Sequence, residues 1–428
     1  MFSANILSRT SLLHTMNKPV CLVSCSDFSL SRPDLVKALS ILGMKVTVVT
    51  NEPVYISKRE PRSLLHDNKV QIVSIKIPFT KVLYQSIMGR LIFYITFMIL
   101  SFFKLFKIDT RPTILFSTGP HPFTEISCIF YKKFFGYVKI VSDISDLWPD
   151  SLEYVNMNRA LKHILITIGH SINYLIYSKI DAIDAVVTLN EAMRKVLRQR
   201  IKQNIYIIYG AIDLTKFKPM RKEDALAVLP KEIANKVNGK FVVLYAGMMG
   251  VFQNPLIVID VAKKIRNECE DLVFVVVGAG PLKQILQKKI KEESLDNVIV
   301  FDAVSRELMP FIYNISDLAL LPPPVLSIPR IRRFFIFTLP RKFMEYAACG
   351  KPILCITPLC VASNLCLKWK AGYHVEPDGV ENVINVIKTF KENKTLREKL
   401  EENARKMAEK LFSVERAVET LSQIIEAL

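Results

Sequence analysis

The feature that most constrains the fold is a short apolar run followed by a loop and a helix, which recurs in both halves of the chain. The first half begins with Val20 to Ser24, a helix from about Pro33 to Leu42 and a second apolar run at Lys45 to Thr50. The second half restarts with Phe241 to Ala246 and Leu272 to Val277, and glycines follow both runs. Buried apolar runs that alternate with helices are typical of parallel α/β sheets. We therefore expect an α/β fold with two successive sheet domains.

The length of the chain also predicts two domains, because 428 residues are too many for one hydrophobic core. The segment Leu214 to Gly239 is polar and carries Pro219 and Pro230, which is typical of a domain boundary. We place an N-terminal leader at residues 1–18, a first domain at 19–215 and a second domain with C-terminal helices at 216–428. The leader has no continuous apolar core, so it does not resemble a signal peptide.

Composition limits the partners and the compartment. The formal net charge of +18 indicates an anionic partner, which is a nucleotide, an acidic lipid surface or a nucleic acid. No motif of a nucleic-acid-binding module supports the last of these, so we expect none. The eight cysteines include no Cys-x-x-Cys pair and no Cys/His cluster with zinc spacing. This pattern predicts reduced thiols in a cytosolic protein, with no metal site.

Two apolar stretches suggest contact with a membrane surface. Leu91 to Phe103 carries no charge, and Arg90 and Lys104 bracket it. It is shorter than the about 20 residues that a transmembrane helix needs, so a span is disfavoured. A buried helix and a helix in the membrane interface both remain open. Arg330 to Phe337 is a basic, aromatic segment that suits a lipid head-group surface or a cover over a bound diphosphate.

Candidate functional residues of the first half follow predicted strands. His121 follows the strand at Ile114 to Ser117, and Asp143 and Asp146 follow the strand at Val138 to Ser142. Ligands of open α/β sheets bind beyond the carboxyl ends of the strands, so these three side chains are candidates by position. The alternatives are a loop histidine without function and an aspartate that caps a turn.

The stretch from Leu339 to Pro352 is the strongest candidate in the second half. Pro340 fits the first turn of a helix, which places Arg341 and Lys342 in that turn and Glu345 one turn later. A cation at a helix N-terminus with a carboxylate behind it suits a nucleotide sugar, whose diphosphate meets the lysine and whose ribose donates to the carboxylate. The alternative is a capped helix with an internal Lys342–Glu345 pair. The glycines that follow the strands, Gly250, Gly278 and Gly280, would let a backbone approach the same ligand.

Together, four segments in this order resemble motifs of glycosyltransferase family 4, in the branch that assembles cell-surface polysaccharides and lipid-linked glycans. They are Asp143 to Asp150, Ile207 to Pro219, Val277 to Pro281 and Leu339 to Pro352. The resemblance covers about Val20 to Leu428. It implies the GT-B fold, in which two Rossmann-like domains face each other across a cleft.

The resemblance also implies roles for single residues. Lys342 would hold the donor diphosphate, Glu345 the ribose, and Val304 the base through its backbone. Gly250, Gly278, Gly280 and Arg341 would complete the donor site. Family members retain the anomeric configuration and usually need no metal, so we expect no metal and no cofactor.

Three departures from the family pattern bear on catalysis. Phe337 stands where many members have a second glutamate, and Val251 stands where many have a phosphate-binding arginine. Arg341 replaces the usual serine and offers a substitute charge. Ser145-Asp146 replaces a His-Asp pair of other branches. We therefore take His121, Asp146 and Lys342 as the candidate catalytic residues, with His121 in place of the missing histidine.

We expect a retaining glycosyltransferase that moves a hexosyl or N-acetylhexosaminyl group from a UDP- or GDP-sugar to a membrane-associated, lipid-linked glycan. The enzyme would act in polysaccharide biosynthesis or protein glycosylation, in the cytoplasm, peripheral at the inner face of the cell membrane. Two alternatives stay open. One is a nucleotide-sugar epimerase of the same fold, and the other is a non-catalytic membrane-associated subunit whose donor site has decayed.

Overall fold

A computed structural model describes most of the chain, namely residues 18–25, 32–52, 70–119, 122–155, 157–327, 331 and 334–428. The predicted leader up to residue 17, the candidate His121 and the arginines Arg330, Arg332 and Arg333 lie outside the described residues. The chain divides into two compact units, one of residues up to 211 together with 414–428, and one of residues 212–413. Each unit is built around its own parallel sheet.

The first unit holds a seven-stranded parallel sheet, as far as the chain is described, in the order β3-β2-β1-β4-β5-β6-β7. Its strands are β1 (Pro19–Ser24), β2 (Lys45–Asn51), β3 (Val70–Ile75), β4 (Ile114–Gly119), β5 (Lys139–Ile144), β6 (Ala185–Thr188) and β7 (Asn204–Ile207). Its helices before residue 212 are α1 (Pro33–Ile41), α2 (Thr80–Leu83), α3 (Ile87–Leu105), α4 (Phe123–Phe134), α5 (Arg159–Tyr174) and α6 (Glu191–Leu197). A 3₁₀ turn at Asp150–Tyr154 precedes α5, and a π-helical turn at Leu175–Lys179 follows it. The core lies on both faces of this sheet.

The second unit holds a six-stranded parallel sheet in the order β10-β9-β8-β11-β12-β13, again within the described residues. Its strands are β8 (Phe241–Ala246), β9 (Leu272–Val277), β10 (Val298–Phe301), β11 (Leu318–Leu321), β12 (Ile353–Ile356) and β13 (Gly372–Val375). Its helices are α7 (Lys222–Val228), α8 (Lys231–Val237), α9 (Ile257–Ile265), α10 (Lys283–Glu292), α11 (Met309–Asn314), α12 (Arg341–Ala348), α13 (Val361–Trp369), α14 (Val380–Glu392) and α15 (Lys394–Leu411). Fully buried β8 and β9 form its centre. Two doubly covered parallel sheets confirm the predicted α/β fold class.

The last helix, α16 (Val414–Ala427), corrects the predicted domain boundaries. The sequence places it in the second domain, but it belongs to the first unit and packs against α1. Val418, Leu421 and Ile424 are buried in the first unit's core beside the strands β1, β2 and β4. The boundary between the units lies at residues 211 and 212, four residues before the predicted one. An amphipathic pattern predicts that a helix buries one face, but it does not reveal which sheet receives that face.

Between Arg90 and Lys104, helix α3 is mostly apolar around its circumference, and only one side of it is buried. Buried residues recur every four positions, as a stripe of Gly89, Phe93, Phe97, Ser101 and Leu105. The opposite stripe is exposed and apolar, with Met88, Ile92, Ile95, Ile99 and Phe103 each 37–58% exposed. α3 is long and apolar enough to cross a membrane, but core helices of soluble proteins pass the same test of length and composition. Within its most apolar 18-residue window, 22% of the residues are buried. Of the two alternatives that the sequence leaves open, a fully buried helix does not fit this exposed face.

All eight cysteines are buried and free, and their reduced state stays a prediction.

Candidate functional site

Two glycine turns lie side by side at the carboxyl ends of β8 and β9. Gly247 and Gly278 have φ of 146° and 150°, which side chains rarely adopt. A Cβ on Gly278 would lie 1.9 Å from the Gly247 carbonyl oxygen, and a Cβ on Gly280 would lie 2.2 Å from the Met249 carbonyl oxygen. The Gly247 N–H donates to the Val277 carbonyl at 2.8 Å, which holds the two turns together. Glycine is therefore required here for backbone-to-backbone contact, and the predicted Gly278 and Gly280 lie in one place.

The side chain of Lys342 lies across the first of these turns. It projects from the first turn of α12, which follows the N-cap residue Pro340. The Lys342 Nζ lies 3.7 Å from the centroid of the Tyr245 ring. A Cβ on Gly247 would come within 2.5 Å of that Nζ, so the glycine also makes room for the lysine. The second unit thus brings Lys342 and the glycine turns together, as predicted for a donor site.

The Lys342 Nζ is buried without a hydrogen-bond partner among the described residues. The residue is 7% exposed, and its Nζ reaches no acceptor in the part of the chain that the structure describes. Burial holds the pKa of Lys342 well below its usual range, although the charge of Glu345 acts in the opposite direction. An unpaired buried polar group is costly, and an unpaired buried charge more so. An anion that supplied the missing acceptors would remove that cost.

Glu345 lies one turn further along α12 and is paired with other groups. It is 2% exposed. Its Oε1 accepts hydrogen bonds from Arg306 and from the Nε of Arg341, the latter at 3.0 Å. Its Oε2 accepts from the Tyr313 hydroxyl at 2.6 Å. The alternative of an internal Lys342–Glu345 pair is therefore wrong, because two arginines and a tyrosine occupy the carboxylate instead.

The remaining donor-site candidates are less constrained. Gly250 exchanges two backbone hydrogen bonds with Gln253, at 3.1 and 3.0 Å. A Cβ on Gly250 would meet nothing within 4 Å, so space does not require glycine there. Val304 is half-buried in the loop that follows β10. The side chain of Arg341 is 49% exposed at the start of α12, apart from its bond to Glu345.

In the first unit, Asp143 was expected just beyond the end of a strand, but it lies within the strand and is buried. β5 continues to Ile144, so Asp143 lies inside the strand and is 0% exposed. It pairs with the buried Arg32 at 2.6 Å and accepts from the Thr118 hydroxyl at 2.8 Å. Arg32 also pairs with Asp34 at 3.0 Å. Asp143 therefore joins β4, β5 and the start of α1, and it does not face a ligand.

Asp146 lies in the wall of a cavity of about 390 Å³ in the first unit. Burial raises the pKa of the Asp146 carboxyl, against hydrogen bonds from Ser151 and the Leu147 backbone that lower it. The other polar and aromatic groups of the lining include Glu125, Trp148, His170, Tyr174 and Arg200. A carboxyl with a raised pKa in a cavity is a candidate for acid–base chemistry.

The three predicted catalytic residues have different outcomes. His121 lies outside the described residues, as noted above. Asp146 belongs to the first unit and Lys342 to the second, and each is described within its own unit. Their shared role in one reaction stays a prediction.

Sequence reasoning missed the partners of the candidate residues. Arg306 and Tyr313 reach Glu345 from 39 and 32 residues away in the chain. Arg32 reaches Asp143 over 111 residues. The one available signal was position, because Arg306 lies in a loop just after a strand, where ligand-binding residues concentrate.

Three comparisons with known proteins bear on this site. Residues 230–407 match the family model of glycosyl transferases group 1. A search of curated proteins finds the putative colanic acid biosynthesis glycosyl transferase WcaI of Escherichia coli strain K12, 25% identical over 142 residues. That match covers 33% of this chain and 34% of the relative, so the chain spans about a third of that relative's length.

Solved structures resemble the chain over nearly its whole length. Anabaena Alr3699/HepE, solved in complex with UDP, has a TM-score of 0.65 at 14% identity and covers 96% of this chain and 100% of its own. WaaG, described as a glycosyltransferase involved in lipopolysaccharide biosynthesis, has a TM-score of 0.63 at 13% identity and covers 94% and 98%. Likeness at this level of identity shows the fold alone. Together with the family match, these findings confirm the predicted resemblance and the GT-B fold class.

Proposed function

Because the chain carries a glycosyl transferases group 1 domain at residues 230–407, we propose that it is an enzyme that transfers a sugar from a nucleotide-sugar donor to a glycan acceptor. The observation that carries this proposal is the buried Lys342 Nζ above the Gly247 turn, which reaches no hydrogen-bond acceptor in the described part of the chain. A donor diphosphate supplies such acceptors and favours the charged form of the lysine. The free N–H groups at the start of α12 favour the same negative charge.

Lys342 and Arg341 supply the positive charge that stabilises the leaving diphosphate. Negative charge builds on the diphosphate as the bond between sugar and phosphate breaks. Fixed cations beside the leaving group stabilise that charge, and they do so most strongly where water is excluded. The reaction is proposed to retain the anomeric configuration and to proceed without a metal. Its course is tested by the anomeric proton coupling of the product, measured by NMR for a reaction run in EDTA.

Asp146 is proposed as the acid–base residue on the acceptor side, with His121 as a second candidate. The support for Asp146 is its raised pKa in a cavity that also contains aromatic rings, which pack well against sugar faces. Asp146→Asn should lower kcat with little change in the affinity for the nucleotide. An unchanged kcat would exclude Asp146 from the reaction.

The donor site is tested by calorimetric binding of UDP and GDP. Wild type should bind one of the two at micromolar concentration, and Lys342→Met and Glu345→Ala should weaken that binding at least tenfold, which is about 1.4 kcal/mol. Lys289→Met, an exposed lysine of the same unit, is the matched control. No binding of either nucleotide to the wild type would contradict the proposal and favour a non-catalytic subunit. Transfer to a detergent-solubilised polyprenyl-diphosphate-linked monosaccharide separates a transferase from an epimerase, which would isomerise the donor instead.

We further propose that the acceptor is lipid-linked and that the protein binds the inner face of the cell membrane. The support is an apolar face in the first unit, which consists of the exposed α3 stripe of Met88, Ile92, Ile95, Ile99 and Phe103 together with Phe130 and Phe134 of α4. Ring contacts of Phe102 with Phe130 at 6.3 Å and with Phe134 at 6.1 Å make this surface continuous.

Charge supports a lipid partner for this apolar face. Residues 79–142 contain eight Lys and Arg but only two acidic residues, Asp109 and Glu125. Glu125 is 3% exposed and hydrogen-bonded inside the unit, so it does not offset the surface charge. Apolar side chains that enter the head-group region beside lysines and arginines are typical of helices that lie on anionic bilayers.

Vesicle flotation tests the membrane proposal. The wild type should float with vesicles that contain phosphatidylglycerol, and the double variant Ile95→Glu/Ile99→Glu should bind them at least tenfold less, because two charges enter the apolar face. Leu359→Glu/Leu367→Glu, at exposed positions of the second unit, is the control and should bind normally. Equal flotation of both variants would contradict the proposal. A dimeric wild type that becomes monomeric in the helix variant would assign the face to a second copy of the chain.

A further inference from the structure

Two guanidinium groups and one phenol converge on the single carboxylate of Glu345. Arg306 and Arg341 both donate to Oε1, and Tyr313 donates to Oε2. A carboxylate has about four lone-pair sites, so three donors leave about one of them free. The vicinal hydroxyls of a ribose need two acceptor sites. If Glu345 binds the ribose of a nucleotide, one of its present donors must therefore leave.

Arg306 is the donor best placed to leave. Its guanidinium carbon lies 4.7 Å from the centroid of the Phe217 ring, so the side chain keeps a second support when the Glu345 bond breaks. Its side chain is 40% exposed, and Glu345 is its one hydrogen-bond acceptor within the described ranges. By contrast, Tyr313 is 2% exposed, and Arg341 lies on the same helix as Glu345, one turn away.

The residue that follows Gly250 supplies no cation for a phosphate. It is Val251, an apolar residue that is 43% exposed. The two arginines on Glu345 exceed its single negative charge by one, so the group carries uncompensated positive charge beside the start of α12. A guanidinium pairs with phosphate through two parallel hydrogen bonds, which an ammonium does not do.

We propose that Arg306 is a donor-contacting residue. When the ribose hydroxyls bind Glu345, the Arg306 guanidinium leaves that carboxylate, keeps its place against Phe217 and pairs with the donor diphosphate. Arg341 and Tyr313 stay and hold Glu345 in position. This inference rests on the proposed function, because it assigns one further contact within the same donor site.

The test is calorimetric binding of the nucleoside, the monophosphate and the diphosphate in the base series that the wild type prefers. Arg306→Gln should weaken binding of the diphosphate at least tenfold, which is about 1.4 kcal/mol, and should change nucleoside binding less than about twofold. Arg306→Lys should recover part of the diphosphate affinity, because it restores the charge but not the paired hydrogen bonds. Arg221→Gln, at an exposed arginine of the same unit, should leave all three affinities unchanged.

Two results would overturn the inference. In the first, Arg306→Gln binds the diphosphate as wild type does. In the second, Arg306→Gln weakens binding of the nucleoside as much as binding of the diphosphate and lowers the midpoint of thermal unfolding. That result would assign Arg306 only to holding Glu345. Wild-type protein that binds neither UDP nor GDP would instead contradict the proposed function itself, so the two failures are distinguishable.

Discussion

Single residues of the second unit show why one glycine is required and another is not. The backbone of Gly278 lies against the Gly247 carbonyl with no room for a Cβ, whereas Gly250 has open space beside it. The two glycines look alike in the sequence, since each follows a strand. Only the position of the neighbouring turn distinguishes them.

Gly278→Ala should lower the free energy of unfolding by at least about 1–3 kcal/mol, because alanine at a φ of 150° is strained. It should also weaken nucleotide binding, since the turn under Lys342 must shift. Denaturant unfolding and calorimetry measure the two effects. Gly250→Ala is the matched control and should change stability by less than about 0.5 kcal/mol. Equal behaviour of the two variants would contradict the role of backbone contact.

The lowered pKa of Lys342 leads to a prediction for pH dependence. In the empty site burial favours the neutral amine, whereas a bound diphosphate favours the ammonium and raises its pKa. Between the two pKa values, binding of UDP or GDP should take up about one proton, and affinity should fall as the pH rises above the empty-site value. Calorimetry in buffers of different ionisation enthalpy measures this uptake. Lys342→Met should abolish it, and an unchanged uptake in that variant would assign the proton to another group.

At the residue scale, local pattern predicts positions better than partners. Pro340 and the residues after it correctly place Lys342 in the first turn of α12. The alternative that pairs Lys342 with Glu345 was wrong, because Arg306 and Tyr313 reach Glu345 through the tertiary fold. The prediction that Asp143 is positioned to bind a ligand was wrong for a related reason, since the buried Arg32 that neutralises it comes from a distant segment. Contacts between segments far apart in the chain leave no local pattern.

At the scale of elements, apolar periodicity predicts that a helix packs but not what it packs against. The six strands that the sequence analysis names were predicted to within about two residues, since short buried runs bounded by polar segments leave few choices, whereas β12 and β13 were not predicted. α16 shows the limit, because its apolar face fits either sheet equally well by pattern. α3 shows the same limit, since an apolar pattern on every face does not predict which face of the helix stays exposed.

Leu421→Ala in α16 should destabilise the first unit. The side chain is fully buried in that unit's core, so its truncation should lower the free energy of unfolding by about 2–5 kcal/mol. Hydrogen exchange should accelerate in β1, β2 and β4 and stay unchanged in β8 and β9. Gln423→Ala, exposed on the same helix, should have no effect. Faster exchange confined to the second unit would contradict the assignment of α16.

For the whole molecule, net charge and an apolar face predict how vesicle binding responds to salt. A net charge of +18 attracts an anionic bilayer over a distance that salt shortens, from about 10 Å at 0.1 M to about 3 Å at 1 M. Binding to phosphatidylglycerol vesicles should therefore fall at least about tenfold over this range, at about 1 kcal/mol per neutralised basic residue at low salt. Flotation at the two salt concentrations measures it. Salt-independent binding would assign attachment to the apolar side chains alone.

The return of the chain to the first unit also sets an order of events during synthesis. A ribosome makes residues 212–413 before it makes α16, so the sequence of the second unit is complete first. The first unit begins with the earliest strands, yet its core lacks Leu421 and Ile424 until α16 has been made. The part that is made first is thus the part completed last, and its unfilled core is where a chaperone would find exposed apolar surface on the nascent chain.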